Sequence, residues 1–413
     1  MKFEKNKIFT SPYFVAAVLT VITFIITAQN LLLSSNTTES GETTFTHYNN
    51  YLIFKRSFFH LIENKDLYQL YLTEHWDLFK YSPTFSLLMA PLAWLPDSVG
   101  LFIWNLLNVL VLFFALWSLK FSREKTELQT NKTGQTASGS LSQLVCRPMF
   151  IIGFILIELI TSIQNSQCNA LMAGLIIFAF VFLEKKQTAL AALFIVLAVF
   201  IKPFGLVGLA LFIFYPNKFK AIIYSIGWMV IFAILPLIVI SASQLSFLYH
   251  SWFNLLQNDH NTLLGISVAG WLKSWFGFES KYLILITGVV LFCLPFLKYK
   301  FFNELRFKLF FLSSILVWIV IFNHKAESPT FVIAISGVAI WFFSQKVKTI
   351  NLILLIIAFI FTILSPTDIF PKTIREHYVI PYALKAVPCL LIWIKITFDL
   401  IFYKSEAILV KET

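Results

Sequence analysis

Long apolar runs separated by short polar breaks dominate the chain. The runs fall near 13–33, 99–119, 149–166, 168–184, 187–202, 203–216, 221–241, 281–298, 308–323, 329–344, 349–365 and 379–400. A bilayer core takes about 20 apolar residues per helix, with a range of about 17–25. The pattern therefore predicts twelve membrane-spanning helices, the shorter ones kinked or tightly paired. Pro83–Leu95 is a thirteenth apolar stretch, which we read as a short re-entrant or paired element. If it crossed, every later helix would invert.

The longest region before residue 100 that no simple span explains is Thr46–Pro96. It is rich in His, Asn, Tyr, Lys and Trp. Its first part has helical periodicity. Tyr48, Tyr51, Leu52, Phe58, Phe59 and Ile62 fall on one side, with Asn49, Arg56, His60 and Glu63 around the other. That pattern predicts an amphipathic helix lying in the membrane interface. Tyr68–Trp76 reads as a second, shorter one, with Trp76, Tyr81 and Trp94 at headgroup level. Residues 45–96 are thus expected to form an outer cap on a single integral membrane domain spanning 1–413.

Composition supports the membrane reading. Of 413 residues, 58% are hydrophobic and 13% charged, and 46 are Phe. Soluble domains carry about 25% charged residues, so a large soluble core is excluded. The net charge of +11 has a topological explanation. The proposed inner segments hold Lys2, Lys5, Lys7, Lys120, Arg123, Lys125, Lys132, Arg147, Lys185, Lys186, Lys218, Lys220, Lys298, Lys300, Arg306, Lys308, Lys346, Lys348, Lys404 and Lys411. These are 20 of the 32 basic residues, as the positive-inside rule requires with both termini cytoplasmic. No basic block is long enough to track a phosphate backbone, so no nucleic-acid partner is expected. Pro12–Leu33 is longer than a signal core and reads as an uncleaved first helix. The polar stretches Leu33–Thr44 and Ser122–Ser142 read as linkers, the second within a cytoplasmic loop at 120–148. The four cysteines form no disulfide or zinc pattern, and no metal or cofactor is expected.

Polar residues collect in five clusters, all placed at the outer face by this topology. They are His47-Tyr48-Asn49-Asn50 with Lys55 and Arg56; Gln164–Asn169; Lys202-Pro203; Gln257–Asn261 with His260; and Asn323–Pro329. Polar and charged groups at membrane depth are costly unless paired or hydrated, which makes them markers of functional cavities. A helix turn is also polar for its own reasons, so each cluster has two readings. In the last one, His324 and Lys325 can hold a phosphate oxygen by charge-assisted hydrogen bonds, with Glu327 accepting a proton. Alternatively, the three staple the turn as an ion pair. Lys202 either snorkels to the interface or meets an anionic headgroup. Glu158, inside a span, reads as a neutral, hydrogen-bonded packing residue outside the site.

The order of motifs from Tyr48 to Asn108 resembles the N-terminal signature of the integral-membrane glycosyltransferases of family 87. The residues are Asn49/Asn50-Tyr51, Leu67-Tyr68, Tyr81-Ser82-Pro83, Pro91-Leu92-Ala93-Trp94-Leu95-Pro96 and Trp104-Asn105-Leu106-Leu107-Asn108. Downstream, Gln164-Asn165 resembles the family's Gly-Gln-x-Asn turn, Lys202-Pro203 its Lys-Pro step, and Glu327-Ser328-Pro329 its Ser-Pro element. The resemblance covers roughly residues 45–335. It implies an all-α polytopic protein of the GT-C fold and a polyprenyl-phosphate sugar donor, with mannose-like hexose transfer. It also implies a lipid-linked or glycan acceptor and chemistry at the outer face of the cytoplasmic membrane.

The resemblance further implies inversion at the anomeric carbon, with a carboxylate base in the first outer loop. The chain departs from the pattern at that point, because the expected Asp falls at Asn49 or Asn50. An amide is no general base, so either another group serves, with Glu327, His324 and His47 the candidates, or the acceptor is activated differently, or the activity is lost. Lys202, Lys325, Gln164, Asn165, Lys55, Arg56 and His260 are the candidate substrate contacts. Two rival readings stand beside this one: a transporter or lipid flippase, and a catalytically inactive family member that binds lipid as a partner.

Overall fold

A computed structural model describes residues 11–33, 35–37, 44–119, 139–258 and 264–405. His260 and most of the 120–148 loop lie outside the described residues. In chain order, α1 is Pro12–Leu32, followed by the two-residue strands β1 (Asn36–Thr37) and β2 (Thr44–Phe45). Then come α2 (Asn49–Ile62), α3 (Pro83–Leu88), α4 (Ala90–Ala93), α5 (Asp97–Trp117), α6 (Gly139–Gln164), α7 (Asn169–Glu184) and α8 (Thr188–Ile201). A 3₁₀ helix, Pro203–Phe214, precedes α9 (Lys218–Ile234) and α10 (Ala242–Asn258). The rest is α11 (Val268–Phe276), α12 (Lys281–Cys293), α13 (Leu305–Ile321), α14 (Phe331–Phe343), α15 (Thr349–Ala358), α16 (Lys372–Ile374) and α17 (Ala386–Ile401). β1 and β2 pair antiparallel, Asn36 opposite Phe45 and Thr37 opposite Thr44.

The fold is all-α and membrane-embedded. Each of the twelve apolar runs carries helix, but the expected count of twelve spans is corrected. Among the described residues, four helical stretches are long and apolar enough to cross a bilayer: Pro12–Leu32, Asp97–Trp117, Lys218–Ile238 and Lys281–Phe301. Shorter apolar helices occupy Pro148–Gln164, Asn169–Glu184, Thr188–Ile201, Pro203–Phe214, Ser328–Phe343 and Thr349–Leu364. The reason is length. At roughly 1.5 Å rise per residue, a helix such as α8, with 14 residues, falls short of the roughly 30 Å hydrocarbon core.

Exposure separates two kinds of helix. α9 leaves Phe219, Ile222, Ile223, Ile226 and Val230 exposed, and α12 does the same with Tyr282, Leu283, Ile286 and Val290. Such apolar outer faces suit lipid. α13 and α14 are buried almost all round, from Phe307 to Ile321 and from Phe331 to Phe342, as expected of helices apolar on every face.

The chain forms two compact units. One comprises Ala17–Ala115 and Leu159–Leu263; the other comprises Met1–Ala16, Leu116–Glu158 and Leu264–Thr413. We call them the loop unit and the C-terminal unit.

In the loop unit, Pro83–Leu95 does not form a span-length helix. It breaks into α3, six residues, and α4, four residues. Ser82 caps α3 by accepting the Phe85 amide at 3.1 Å, and Pro83 takes the first helical position, where its missing N–H costs nothing. α2 forms where periodicity predicted it, but its buried face is rotated. Tyr51, Ile53, Phe54, Ser57, Phe58, His60 and Leu61 are inside, whereas Leu52, Phe59 and Ile62 are only half-buried. Phe54 sets the orientation, packing edge-on against Tyr81, Phe85 and Trp104.

The predicted second amphipathic helix, Tyr68–Trp76, does not form; these residues run in turns. Local polar bonds outcompete the helix. Asp66 accepts the Tyr68 amide, the Tyr71 hydroxyl donates to the Asp66 carbonyl, and the Tyr68 hydroxyl donates to the Tyr81 carbonyl. Asp77 adopts φ +76°, a left-handed conformation that ends any helix there. α10 holds the turns from outside: Ser251 donates to the Asp66 carboxylate and Trp252 Nε1 to the Lys80 carbonyl.

Candidate functional site

In the loop unit the candidate site centres on the turn Gln164–Asn169, between α6 and α7. Three elements fix it. Asn30 Nδ2 of α1 donates to the Gln164 carbonyl at 2.8 Å, Asn50 Nδ2 of α2 to the Asn165 carbonyl at 2.9 Å, and Trp104 Nε1 of α5 to the Ser166 carbonyl at 2.8 Å. Ser166 sits at φ +51°, a left-handed conformation that costs a non-glycine residue free energy and persists only where the surroundings hold it. Four residues beyond Trp104, the Asn108 side chain donates to the Trp104 carbonyl and accepts the Leu171 amide at 3.1 Å. That amide lies in the first turn of α7 and lacks an intrahelical partner. The Trp-x-x-x-Asn spacing thus puts both side chains on one face of α5, one holding the turn and the other the helix it leads into.

At the far end of the turn, Asn169 links two side chains. Its Nδ2 donates to Gln167 Oε1 at 2.6 Å, and its Oδ1 accepts from Lys202 Nζ at 2.9 Å. Lys202 closes α8 in extended backbone, φ −139° and ψ +128°. The following proline disfavours helical φ/ψ at that position and removes the next donor. The chain folds back at once. Gly205 packs so closely on α8 that a Cβ would lie 2.7 Å from the Ala198 carbonyl carbon; any side chain there would push the 3₁₀ helix away. The half-buried Lys202 ammonium lies 5.7 Å from the ring centroids of both Tyr81 and Phe204. Aromatic faces and an amide oxygen stabilise a cation at such a site, and an anion brought there meets a positive charge already partly desolvated.

The other sequence candidates of this unit have partners elsewhere. Asn49 exchanges two hydrogen bonds with the backbone of Trp76: Nδ2 donates to its carbonyl at 2.6 Å, and Oδ1 accepts its amide at 2.8 Å. Lys55 pairs with Asp97 at 2.6 Å and donates to the Leu95 carbonyl at 2.7 Å. Arg56 lies 3.6 Å from Glu74. Asn165 turns its own amide back to the Thr161 carbonyl at 2.8 Å. His47 is half-buried just before α2, and Gln164 is half-buried at the end of α6. The loop carboxylates are also engaged: Glu63 with Lys65, Asp66 with Ser251, Glu74 with His60, Asp77 with Lys80 and Asp97 with Lys55.

In the C-terminal unit, the turn Asn323–Pro329 carries half-buried His324 and Lys325 and exposed Glu327. Its backbone is held in a ladder-like exchange: the Gly265 amide donates to the His324 carbonyl and the Ile266 amide to the Ala326 carbonyl, each at 2.7 Å. Thr330 Oγ1 accepts the Glu327 amide at 3.3 Å. Glu158 is fully buried and bonded: Lys385 Nζ lies 2.8 Å from its Oε1 and 3.1 Å from its Oε2, a partner that sequence reasoning did not identify. Among the described residues, no group of three or more His, Cys, Asp or Glu side chains has the arrangement of a metal site.

Comparison with known sequences gives one family. The glycosyltransferase family 87 model matches residues 79–366, a range that includes the Trp104–Asn108 face, the 164–169 turn, Lys202 and the 323–329 turn. No curated protein matches the chain significantly. The matched region takes in most of the sequence, and the all-α, membrane-embedded fold is consistent with the GT-C superfamily. The chain belongs to glycosyltransferase family 87, and its activity class is glycosyl transfer.

Proposed function

We propose that the protein moves a hexose, mannose-like in class, from a polyprenyl-phosphate sugar to a lipid-linked or glycan acceptor at the outer face of the cytoplasmic membrane. The observation that carries this reading is Lys202. Its ammonium is held by Asn169 at a helix break, 5.7 Å from the rings of both Tyr81 and Phe204. A sugar phosphodiester is the anionic donor such a membrane-embedded cation suits. The acceptor hydroxyl attacks the anomeric carbon, the C1–O bond to phosphate breaks, and the phosphate departs carrying the electron pair. The leaving group is already ionised, so acid assistance contributes little and a positioned base contributes more.

Asn49 and Asn50 are amides and cannot act as general bases. His47 is the proposed proton acceptor of the loop unit. In the C-terminal unit, His324 and Lys325 are proposed donors to phosphate oxygens, and Glu327 a proposed proton acceptor. A lipid-binding member without transfer activity is the second reading, favoured by the amides where a carboxylate is expected. Purified protein, assayed for transfer from a panel of polyprenyl-phosphate hexoses, separates the two. Transfer supports the first reading. If transfer arises only after Asn50→Asp, the scaffold is intact and the base was missing.

A further inference from the structure

The most deeply buried charges described in the C-terminal unit lie outside every site considered so far. Lys385, 3% exposed, and Glu158, 0% exposed, form an ion pair. The same ammonium donates to Ser328 Oγ at 2.8 Å and to the Ser328 carbonyl at 3.2 Å, and lies 4.9 Å from the Phe331 ring centroid. A lysine has three donors, and these contacts account for all of them. Lys385 therefore has no donor left for a substrate. Its backbone is also fixed: its carbonyl accepts Thr362 Oγ1 at 2.9 Å, and it immediately precedes α17.

Burying such a pair costs desolvation, and apolar pairs of similar volume replace buried ion pairs with little loss of stability in many proteins. Stability alone does not account for it. What it does accomplish is geometric. Ser328 ends the turn that carries His324, Lys325 and Glu327. The other side of the turn is held by Gly265, where a Cβ would lie 2.4 Å from the Ala326 carbonyl oxygen. The turn is thus clamped at both ends, by backbone contact at 265–266 and by the ammonium at 328.

We propose that Lys385, oriented by Glu158, is a positioning residue that sets the Asn323–Pro329 turn for donor-phosphate binding. This rests on the phosphate role proposed above for His324 and Lys325. The test uses the full chain in lipid nanodiscs with the double variant Glu158→Leu/Lys385→Met, which leaves no lone buried charge, and with Ser328→Ala, which removes one acceptor. Positioning predicts a KM for the polyprenyl-phosphate sugar raised about tenfold in the double variant, with kcat nearly unchanged. Ser328→Ala gives a smaller rise in the same direction. A fall in kcat at unchanged KM means a loss of folded enzyme and overturns the proposal, as does wild-type kinetics in the double variant. Hydrogen exchange at amides 323–330 is read in parallel and needs no substrate. Faster exchange in the double variant supports the clamp, and unchanged exchange overturns it. If the wild-type protein transfers nothing, the proposed function fails while the exchange result still decides the clamp.

Discussion

Asn49 and Trp76 are joined by a reciprocal pair of hydrogen bonds, Nδ2 to carbonyl at 2.6 Å and amide to Oδ1 at 2.8 Å. A carboxamide can do both; a carboxylate can only accept. Asn49→Asp therefore sets a negative oxygen against the Trp76 carbonyl and loses a donor. It should destabilise the protein by about 1–3 kcal/mol, measured by denaturation in detergent. Asn50 makes one bond, to the Asn165 carbonyl, at an exposed position, and Asn50→Asp should cost less. The two neighbours are thus separable: Asn49 ties the loop together, and Asn50 faces the 164–169 turn.

Trp104 Nε1 satisfies a buried carbonyl at a strained residue, Ser166. Trp104→Phe keeps most of the ring and removes the donor. It should cost about 1–3 kcal/mol and accelerate hydrogen exchange at 164–169. Unchanged exchange in Trp104→Phe would show that the turn holds without α5.

Acid should loosen the segment 60–80. Burial lowers the His60 pKa from 6.5, against the opposing pull of Glu74 3.1 Å away, and burial lowers that of His75 in the same way. Arg56 and Lys65 add positive charge nearby, and Glu63 adds negative charge. The folded state then holds both rings neutral while the unfolded chain takes up protons below pH 6.5. The stability contribution is full above about pH 6.5 and is lost as pH falls through the lowered folded values. Corrected for the intrinsic pH dependence of amide exchange, exchange across 60–80 should rise as pH falls below about 6.5, and His60→Gln should flatten the change.

The helices were legible in the sequence because apolar runs bounded by Gly, Pro and polar residues state their own positions. The length of each was legible too, but the expectation that short runs still cross a membrane gave α8 and its neighbours a reach they lack. Tyr68–Trp76 was misread as a helix because Tyr and Trp spaced along it mimic an amphipathic face. Tyr68 and Tyr71 bond instead to Asp66 and Tyr81, and Asp66 is held by Ser251 of α10, 185 residues away and outside any local window. The 164–169 turn and Lys202 stood out because polarity inside apolar sequence is expensive. Asn169 belongs to the polar 164–169 cluster, yet its link to Lys202, 33 residues on, needed the fold. Glu158 and Lys385 lie 227 residues apart, and nothing in either neighbourhood announces the other.

The most direct test of the account is transfer by purified protein in nanodiscs from a polyprenyl-phosphate hexose, wild type beside Lys202→Met. Loss of one charge-assisted contact to phosphate is worth about 1.5–3 kcal/mol, or roughly tenfold to a hundredfold in rate. The account predicts transfer by the wild type and a fall of that size in kcat/KM for the variant. Equal transfer by the two proteins would contradict it.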